Sequence, residues 1–104
     1  MPGDWKTAEP GVTRRLLTRG EKTMTMEVRF EKGAKGARHS HPHEQVSRVL
    51  EGHMTFFLGD TQHELFKDDM IVIPGDLEHG VLAHTESTLL DIFSPVREDL
   101  LEAL

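Results

Sequence analysis

The sequence predicts an all-β protein, a closed sandwich or barrel of short strands that ends in one short helix. Apolar and polar residues alternate with a period of two along much of the 104-residue chain, as in strands with one buried face. Turn-forming residues interrupt this alternation at short, regular intervals, and helical character is confined to the tail, Val96–Leu104. About eight short strands separated by tight turns favour a closed structure over an open sheet.

The most regular alternation lies in Met24–Phe30, where every second residue is apolar. It predicts a strand whose two methionines face the core, near the mouth of any cavity. Other segments show the same pattern over shorter lengths. In chain order, the predicted strands are Val12–Thr18, Met24–Phe30, Glu44–Leu50, Met54–Leu58, His63–Phe66, Met70–Ile73, Gly80–His84 and Thr88–Phe93.

Turn-forming residues separate these strands. Gly59-Asp60 lies between two short strands and is the clearest hairpin signal. Pro95 pushes Ser94 towards extended geometry and suits the start of the terminal helix. The predicted turns are Glu31–Gly36, Glu51–Gly52, Leu58–Asp60, Pro74–Asp76 and Thr85–Ser87.

The last predicted strand is apolar on both faces. Leu89, Asp91 and Phe93 share one face, and Leu90 and Ile92 lie on the other. Apolar residues on both faces need cover on both, and a small barrel has a single interior. We expect either the terminal helix or a second subunit to cover the other face, which favours a homodimer.

Composition limits the function classes. The length predicts a single domain spanning residues 1–104. A net charge of −6 and a pI of about 5.6 argue against nucleic-acid binding, since no basic stripe is present. No apolar run is long enough to cross a membrane, and the amino terminus lacks the features of a signal peptide. We therefore expect a cytoplasmic protein.

The absence of cysteine excludes thiolate ligands, so metal ligands would be His, carboxylate or amide groups.

Four residues have the spacing of metal ligands. His39, His41 and Gln45 are separated by even numbers of residues. Side chains at such spacings point to the same side of an extended chain, so all three project into one cavity. His79 follows Pro74-Gly-Asp-Leu-Glu and is a fourth candidate donor. Three imidazoles and one amide oxygen fit one divalent first-row transition metal and leave coordination positions open. Nickel, zinc, manganese and iron are all compatible with this donor set.

The remaining histidines are expected to have other roles. His43 shares the parity of the ligands, but four donors already suffice, so an exposed or substrate-facing position is favoured over ligation. His53, His63 and His84 lie outside the motif and are interpreted as surface residues. Arg14 and its neighbour Arg15 are interpreted in the same way.

The histidine segment resembles the first signature of the cupin family. That signature is Gly, five residues, His-x-His, three residues, an acidic or amide residue, six residues, Gly. Gly33, His39, His41, Gln45 and Gly52 fall in register with it. The resemblance implies an all-β cupin-type jelly-roll β-barrel, here with a short C-terminal helix.

The second cupin signature is matched less closely. Pro74 and His79 occupy their expected positions. Asp68 and Asp76 stand where the family has glycine, and Ala83 stands where it has asparagine. These departures lie outside the candidate ligands.

Three segments extend the resemblance to the KdgF family of pectin-degradation cupins: Phe30–Gly33, His39–Gln45 and Leu89–Leu100. Members of that family convert 4,5-unsaturated monouronates, left by pectin and alginate lyases, to linear keto forms. The resemblance implies a metal held by His39, His41, Gln45 and His79. It also implies that Asp91, Phe93 and Arg97 line the catalytic cavity.

The resemblance also implies a role for each of these three residues. Arg97 would bind the substrate carboxylate, Asp91 would act as acid or base, and Phe93 would stack on the sugar ring or wall the site. A neutral Gln45 leaves the charge of the metal uncompensated, which favours an anionic substrate. Two alternatives stay open: a metal-dependent dioxygenase, and a sugar-binding or sensing cupin without turnover.

Overall fold

The computed structural model describes residues 2–103, and most of that chain is in β-strands. The described strands are β1 (Lys6–Glu9), β2 (Val12–Arg19), β3 (Met24–Phe30), β4 (Lys35–His39), β5 (Glu44–Glu51), β6 (His53–Leu58), β7 (Thr61–Phe66), β8 (Met70–Ile73), β9 (His79–Ala83) and β10 (Ser87–Ser94). A short helix, α1 (Glu98–Ala103), follows them. The all-β class predicted from the sequence is confirmed.

The strands form two antiparallel sheets. One has six strands in the order β1-β2-β3-β10-β5-β8, and the other has four in the order β4-β9-β6-β7. Each of the eight predicted strands corresponds to an observed strand, and the Gly59-Asp60 hairpin joins β6 to β7 as predicted. The arrangement is a jelly roll in which strands adjacent in the sheet are often distant in sequence.

Two strands were not predicted. β1 and β4 carry few apolar residues, and the start of β4 overlaps the predicted turn Glu31–Gly36. They are extended because β1 pairs with β2 and β4 pairs with β9. Long-range pairing, rather than hydrophobic alternation, determines these two elements.

The core between the sheets consists of inward-facing residues of both. The larger buried cluster includes Phe30, Val49, Phe56, Ile73 and Leu89. A smaller cluster at one end of the barrel contains the two predicted core methionines; its buried members are Met24, Met26, Phe93 and Val96.

Helix α1 packs on the smaller cluster through Leu100 and Leu101. It therefore lies on the Phe93 side of β10 and not over the opposite face, where Leu90 and Ile92 are half-buried. The prediction that the terminal helix covers the face carrying Leu90 and Ile92 is therefore wrong, which leaves a second subunit as the remaining expected cover. The helix begins at Glu98 rather than Val96, and Leu104 lies outside the described residues.

Backbone conformation explains three positions of the cupin signatures. Gly52 has φ 102°, and a Cβ there would collide with the Ser87 hydroxyl, so only glycine fits. Asp68 and Asp76 have φ values of 74° and 67°. The two aspartates thus keep the left-handed conformation that glycine favours, which Asp tolerates better than most residues.

No helix among the described residues has the length and apolar character needed to span a lipid bilayer.

Candidate metal centre and active site

The four candidate ligands come from both sheets. His39 ends β4 and lies directly opposite His79, the first residue of β9. His41 lies in the connection after β4, and Gln45 lies on β5 in the other sheet. The expectation of one continuous extended segment is therefore only partly right. The chain crosses from one sheet to the other between His39 and Gln45, and this crossing brings the donors together inside the barrel.

The three imidazoles converge on one point. His39, His41 and His79 each offer a ring nitrogen, and these atoms all lie within 4.8 Å of one another. The Gln45 amide oxygen lies 3.1 Å from Nε2 of His41. His41, Gln45 and His79 are buried, whereas His39 is exposed at the cavity mouth. This arrangement can hold a metal with one side open to a ligand.

Main-chain carbonyls fix the tautomer of each imidazole. A carbonyl oxygen can only accept, so each bonded Nδ1 must carry the proton and each Nε2 presents its lone pair to the site. Nε2 of His79 is buried without a hydrogen-bond partner among residues 2–103. The three Nδ1 bonds run from His39 to Ala37 (2.9 Å), from His41 to His43 (3.0 Å) and from His79 to Leu77 (2.8 Å).

The donor set fits a divalent cation. With Nδ1 of His41 protonated, its Nε2 and the Gln45 oxygen are two acceptors facing each other, an arrangement that a cation bound by both would stabilise. Burial, reinforced by the Arg97 charge, lowers the pKa of His41 to about 4, so this imidazole is neutral at pH 7. Neutral imidazole is the form that binds metal.

A buried pair of hydrogen bonds joins Gln45, the candidate amide ligand, to Asp91. The Gln45 amide nitrogen donates to Ser47 Oγ at 3.0 Å, and Ser47 donates to Asp91 Oδ1 at 2.6 Å. The first bond orients the Gln45 oxygen towards His41. Ser47 is fully buried and directly opposite Asp91 in the β5–β10 pair. Sequence reasoning missed Ser47, although its parity with Gln45 placed it on the inward face.

Asp91 and Phe93 are two residues apart on β10, which predicts that they share one face. Both line the cavity. Burial raises the pKa of Asp91 to about 6, and its bond with Ser47 opposes that rise. A carboxyl group with this pKa carries a proton for part of the time near neutral pH, as acid–base chemistry requires.

Arg97 is buried beside Phe93, with its guanidinium carbon 5.1 Å from the ring centre. Asp99 binds one edge of the guanidinium, accepting from Nε at 3.0 Å and from Nη2 at 2.8 Å. These hydrogen bonds lower the pKa of Asp99 to about 2. The edge formed by the two terminal nitrogens retains donors for a second carboxylate.

Arg14 corrects one interpretation made from the sequence. The sequence predicts a surface position for Arg14, but Arg14 follows Val12 on the inward face of β2 and lines the same cavity as Arg97. Burial and, after it, the Arg97 charge lower the pKa of Arg14. Arg14 lies between the apolar residues Val12 and Leu16 at alternating positions of β2, and this spacing indicates that its side chain faces inward. Two guanidinium groups therefore face one cavity in a protein of net charge −6.

These groups line one cavity of about 120 Å³. Metal-donor, acid–base and cationic groups are thus gathered at one end of the barrel. His43 is not one of the three histidines whose ring nitrogens converge, and it is half-buried. The cavity is lined by, among others, His39, Gln45, His79, Asp91, Phe93, Arg97 and Arg14.

Comparisons with known proteins agree with this geometry. The pectin degradation protein KdgF of Dickeya dadantii is 32% identical over 93% of this chain and 90% of its own length. The structure of KdgF from Halomonas sp. matches with a TM-score of 0.89 and 33% identity, covering 93% of this chain and 90% of that one.

An RmlC-like cupin from Shewanella frigidimarina matches with a TM-score of 0.90 and 33% identity, covering 94% of this chain and 88% of its own. The family model for the cupin domain matches residues 26–93, the stretch that carries all four candidate ligands as well as Asp91 and Phe93. The chain therefore belongs to the cupin family, and within that family it is a relative of KdgF.

Proposed function

We propose that this protein is a metal-dependent enzyme that converts 4,5-unsaturated monouronates from pectin breakdown to their linear keto forms. The observation that carries the proposal is one cavity lined by His39 and His79, an acid–base carboxyl group linked to the candidate amide ligand, and two guanidinium groups. The His41 imidazole converges with the other two beside this cavity. A relative named for pectin degradation, KdgF of Dickeya dadantii, supports the substrate class.

The reaction is an isomerisation. The substrate loses the proton of its C1 hydroxyl, the bond between C1 and the ring oxygen breaks, and C4 gains a proton. The products of these changes are an aldehyde at C1 and a ketone at C5, and no oxidant or reductant is consumed. The site must therefore hold the carboxylate, stabilise charge on oxygen and move one proton between two positions.

The guanidinium groups hold the substrate carboxylate. Arg97 offers the edge that Asp99 leaves free, and a planar fork matches a carboxylate in geometry as well as charge. Arg14 adds a second positive charge to the same cavity. Phe93 supplies an apolar wall beside Arg97, against which a sugar ring can rest.

Asp91 moves the proton to C4. It faces the cavity, and its other contact, with Ser47, keeps the carboxyl group in one orientation. The residues that would hold the metal are His39, His41, Gln45 and His79. A divalent ion bound there would act as a Lewis acid on a substrate oxygen. All four ligands are neutral, so the full charge of the ion is available to an anionic substrate.

The test is loss of the ultraviolet absorbance of the conjugated double bond when purified protein meets a 4,5-unsaturated galacturonate. The wild type should accelerate that loss, and Asp91→Asn should turn over roughly 100-fold more slowly or worse while retaining its metal. Asp60→Asn, in the exposed β6–β7 hairpin, is the matched control and should retain wild-type turnover.

Two results would replace this proposal. A wild type that binds the uronate without accelerating the absorbance loss would be a sugar-binding or sensing cupin. A wild type that consumes oxygen in proportion to substrate would be a dioxygenase. Turnover of Asp91→Asn at the wild-type rate would remove Asp91 from the acid–base role.

A further inference from the structure

A second group of histidines lies on the outer face of the four-stranded sheet. His53, Glu64 and His84 each offer one ligand atom, and these atoms all lie within 4.8 Å of one another. The sequence interpretation placed both histidines on the surface, and they are partly or well exposed. Their proximity to each other and to Glu64 was not predicted, because it depends on the β6–β7 and β6–β9 pairings.

The group is centred on the Glu64 carboxylate. Oε2 of Glu64 lies 2.5 Å from Nε2 of His53 and 3.7 Å from Nε2 of His84. The two imidazole rings are 4.5 Å apart, centre to centre. Two imidazole nitrogens and one carboxylate oxygen form the donor set of many zinc sites with an open fourth position.

Neighbouring residues hold the three side chains in place. Thr55 is buried beneath them, donates to Oε1 of Glu64 at 2.6 Å and lies 2.6 Å from Nε2 of His84. The His53 ring stacks on Phe66 with 4.3 Å between ring centres and 11° between planes. The amide of His84 donates to the carbonyl of His53 at 2.9 Å, which ties the two backbones together. Because the Glu64 carboxylate can only accept and the Thr55 proton is already donated to it, Nε2 of both His53 and His84 carries a proton in these contacts. The contacts hold the donor atoms close together, and an ion bound at Nε2 would displace both protons.

We propose that His53, Glu64 and His84 form a second metal site, open to solvent, for a borderline divalent cation such as Zn²⁺. A bound ion would link β6 and β7 to the turn after β9. This site is separate from the cavity. His79 pairs with Leu58 at the far end of β6, so about five residues, or roughly 17 Å of strand, separate the two sites along β6.

The test is calorimetric titration of Zn²⁺ into protein whose cavity site is already filled with metal. The wild type should bind one further equivalent. His53→Gln and His84→Gln should each weaken that event by at least about tenfold, since loss of even an outer-shell partner costs roughly 10–100-fold. His63→Gln is the matched control, because His63 is exposed on the opposite face of β7, and it should bind like the wild type.

Thermal unfolding provides a second readout. Zn²⁺ added beyond the first equivalent should raise the melting temperature of the wild type and of His63→Gln, and of neither site variant. His41→Ala should lose the cavity metal but keep the second event. The proposal is overturned if no further equivalent binds, or if the further equivalent survives in His53→Gln and His84→Gln.

Discussion

The two hydrogen bonds that join Gln45 through Ser47 to Asp91 lead to a specific prediction for Ser47→Ala. The substitution removes one oxygen atom and leaves the backbone and neighbouring packing unchanged. It breaks two hydrogen bonds, of 3.0 and 2.6 Å, at a residue with no exposed surface. The Gln45 amide nitrogen and one Asp91 oxygen then lose their partner inside the barrel.

The cost follows from these two groups. A buried polar group left without a partner costs about 1–3 kcal/mol, so two such groups give roughly 2–6 kcal/mol. Gln45 and Asp91 border the cavity, where water can replace part of each bond, so we expect the lower half of that range, about 2–4 kcal/mol. For a chain of this length the loss corresponds to a fall in melting temperature of roughly 10–20 °C.

Metal affinity should fall as well. Ser47 orients the amide whose oxygen is a candidate ligand, and loss of such an outer-shell partner weakens metal binding roughly 10–100-fold. The assays are thermal unfolding of the metal-free protein and competition with a chelator of known affinity. Ser87→Ala is the matched control. Ser87 is equally buried, but its hydroxyl donates to the Thr85 carbonyl, away from the cavity.

The control should lose some stability and keep wild-type metal affinity. The reasoning is refuted if Ser47→Ala binds metal as tightly as the wild type, or if its melting temperature falls no further than that of Ser87→Ala.

Three further predictions concern the metal, the assembly and the substrate. His41→Ala should lose the one cavity metal, measured by elemental analysis, because one imidazole is gone and the others are left poorly oriented; full occupancy would contradict the assignment. Light scattering should show a dimer that Ile92→Glu converts to a monomer, and a monomeric wild type at micromolar concentration would refute this. Arg97→Lys should weaken substrate binding by roughly 1–3 kcal/mol, measured as KM, with a smaller change in kcat; an unchanged KM would exclude Arg97 from carboxylate binding.

Strict alternation made the inward face of β10 predictable. Because successive strand residues face opposite sides, the positions of Asp91 and Phe93 followed once the strand was recognised. The spacing of His39, His41 and Gln45 was likewise sufficient to propose that they meet.

Other parts of the site depend on contacts between distant segments. Ser47 and Arg14 are polar residues that face the interior, and a polar residue in a strand is usually interpreted as solvent-facing. Only comparison with their apolar neighbours at i−2 or i+2 signals the inward direction. The outer His53 group depends on which strands pair, and local sequence does not encode that choice.

The bonds from each Nδ1 to a main-chain carbonyl have a consequence for how this site tolerates mutation. In many metalloproteins a carboxylate side chain orients each histidine, so one substitution can change the ligand. Here the acceptors belong to Ala37, His43 and Leu77, and a backbone oxygen stays in place whatever side chain the residue carries. The orientation of the three candidate imidazole ligands therefore does not depend on the side chains at these acceptor positions. Gln45 is oriented by the Ser47 side chain instead, so a substitution at Ser47 would change the orientation of this candidate ligand while leaving the three imidazoles in place.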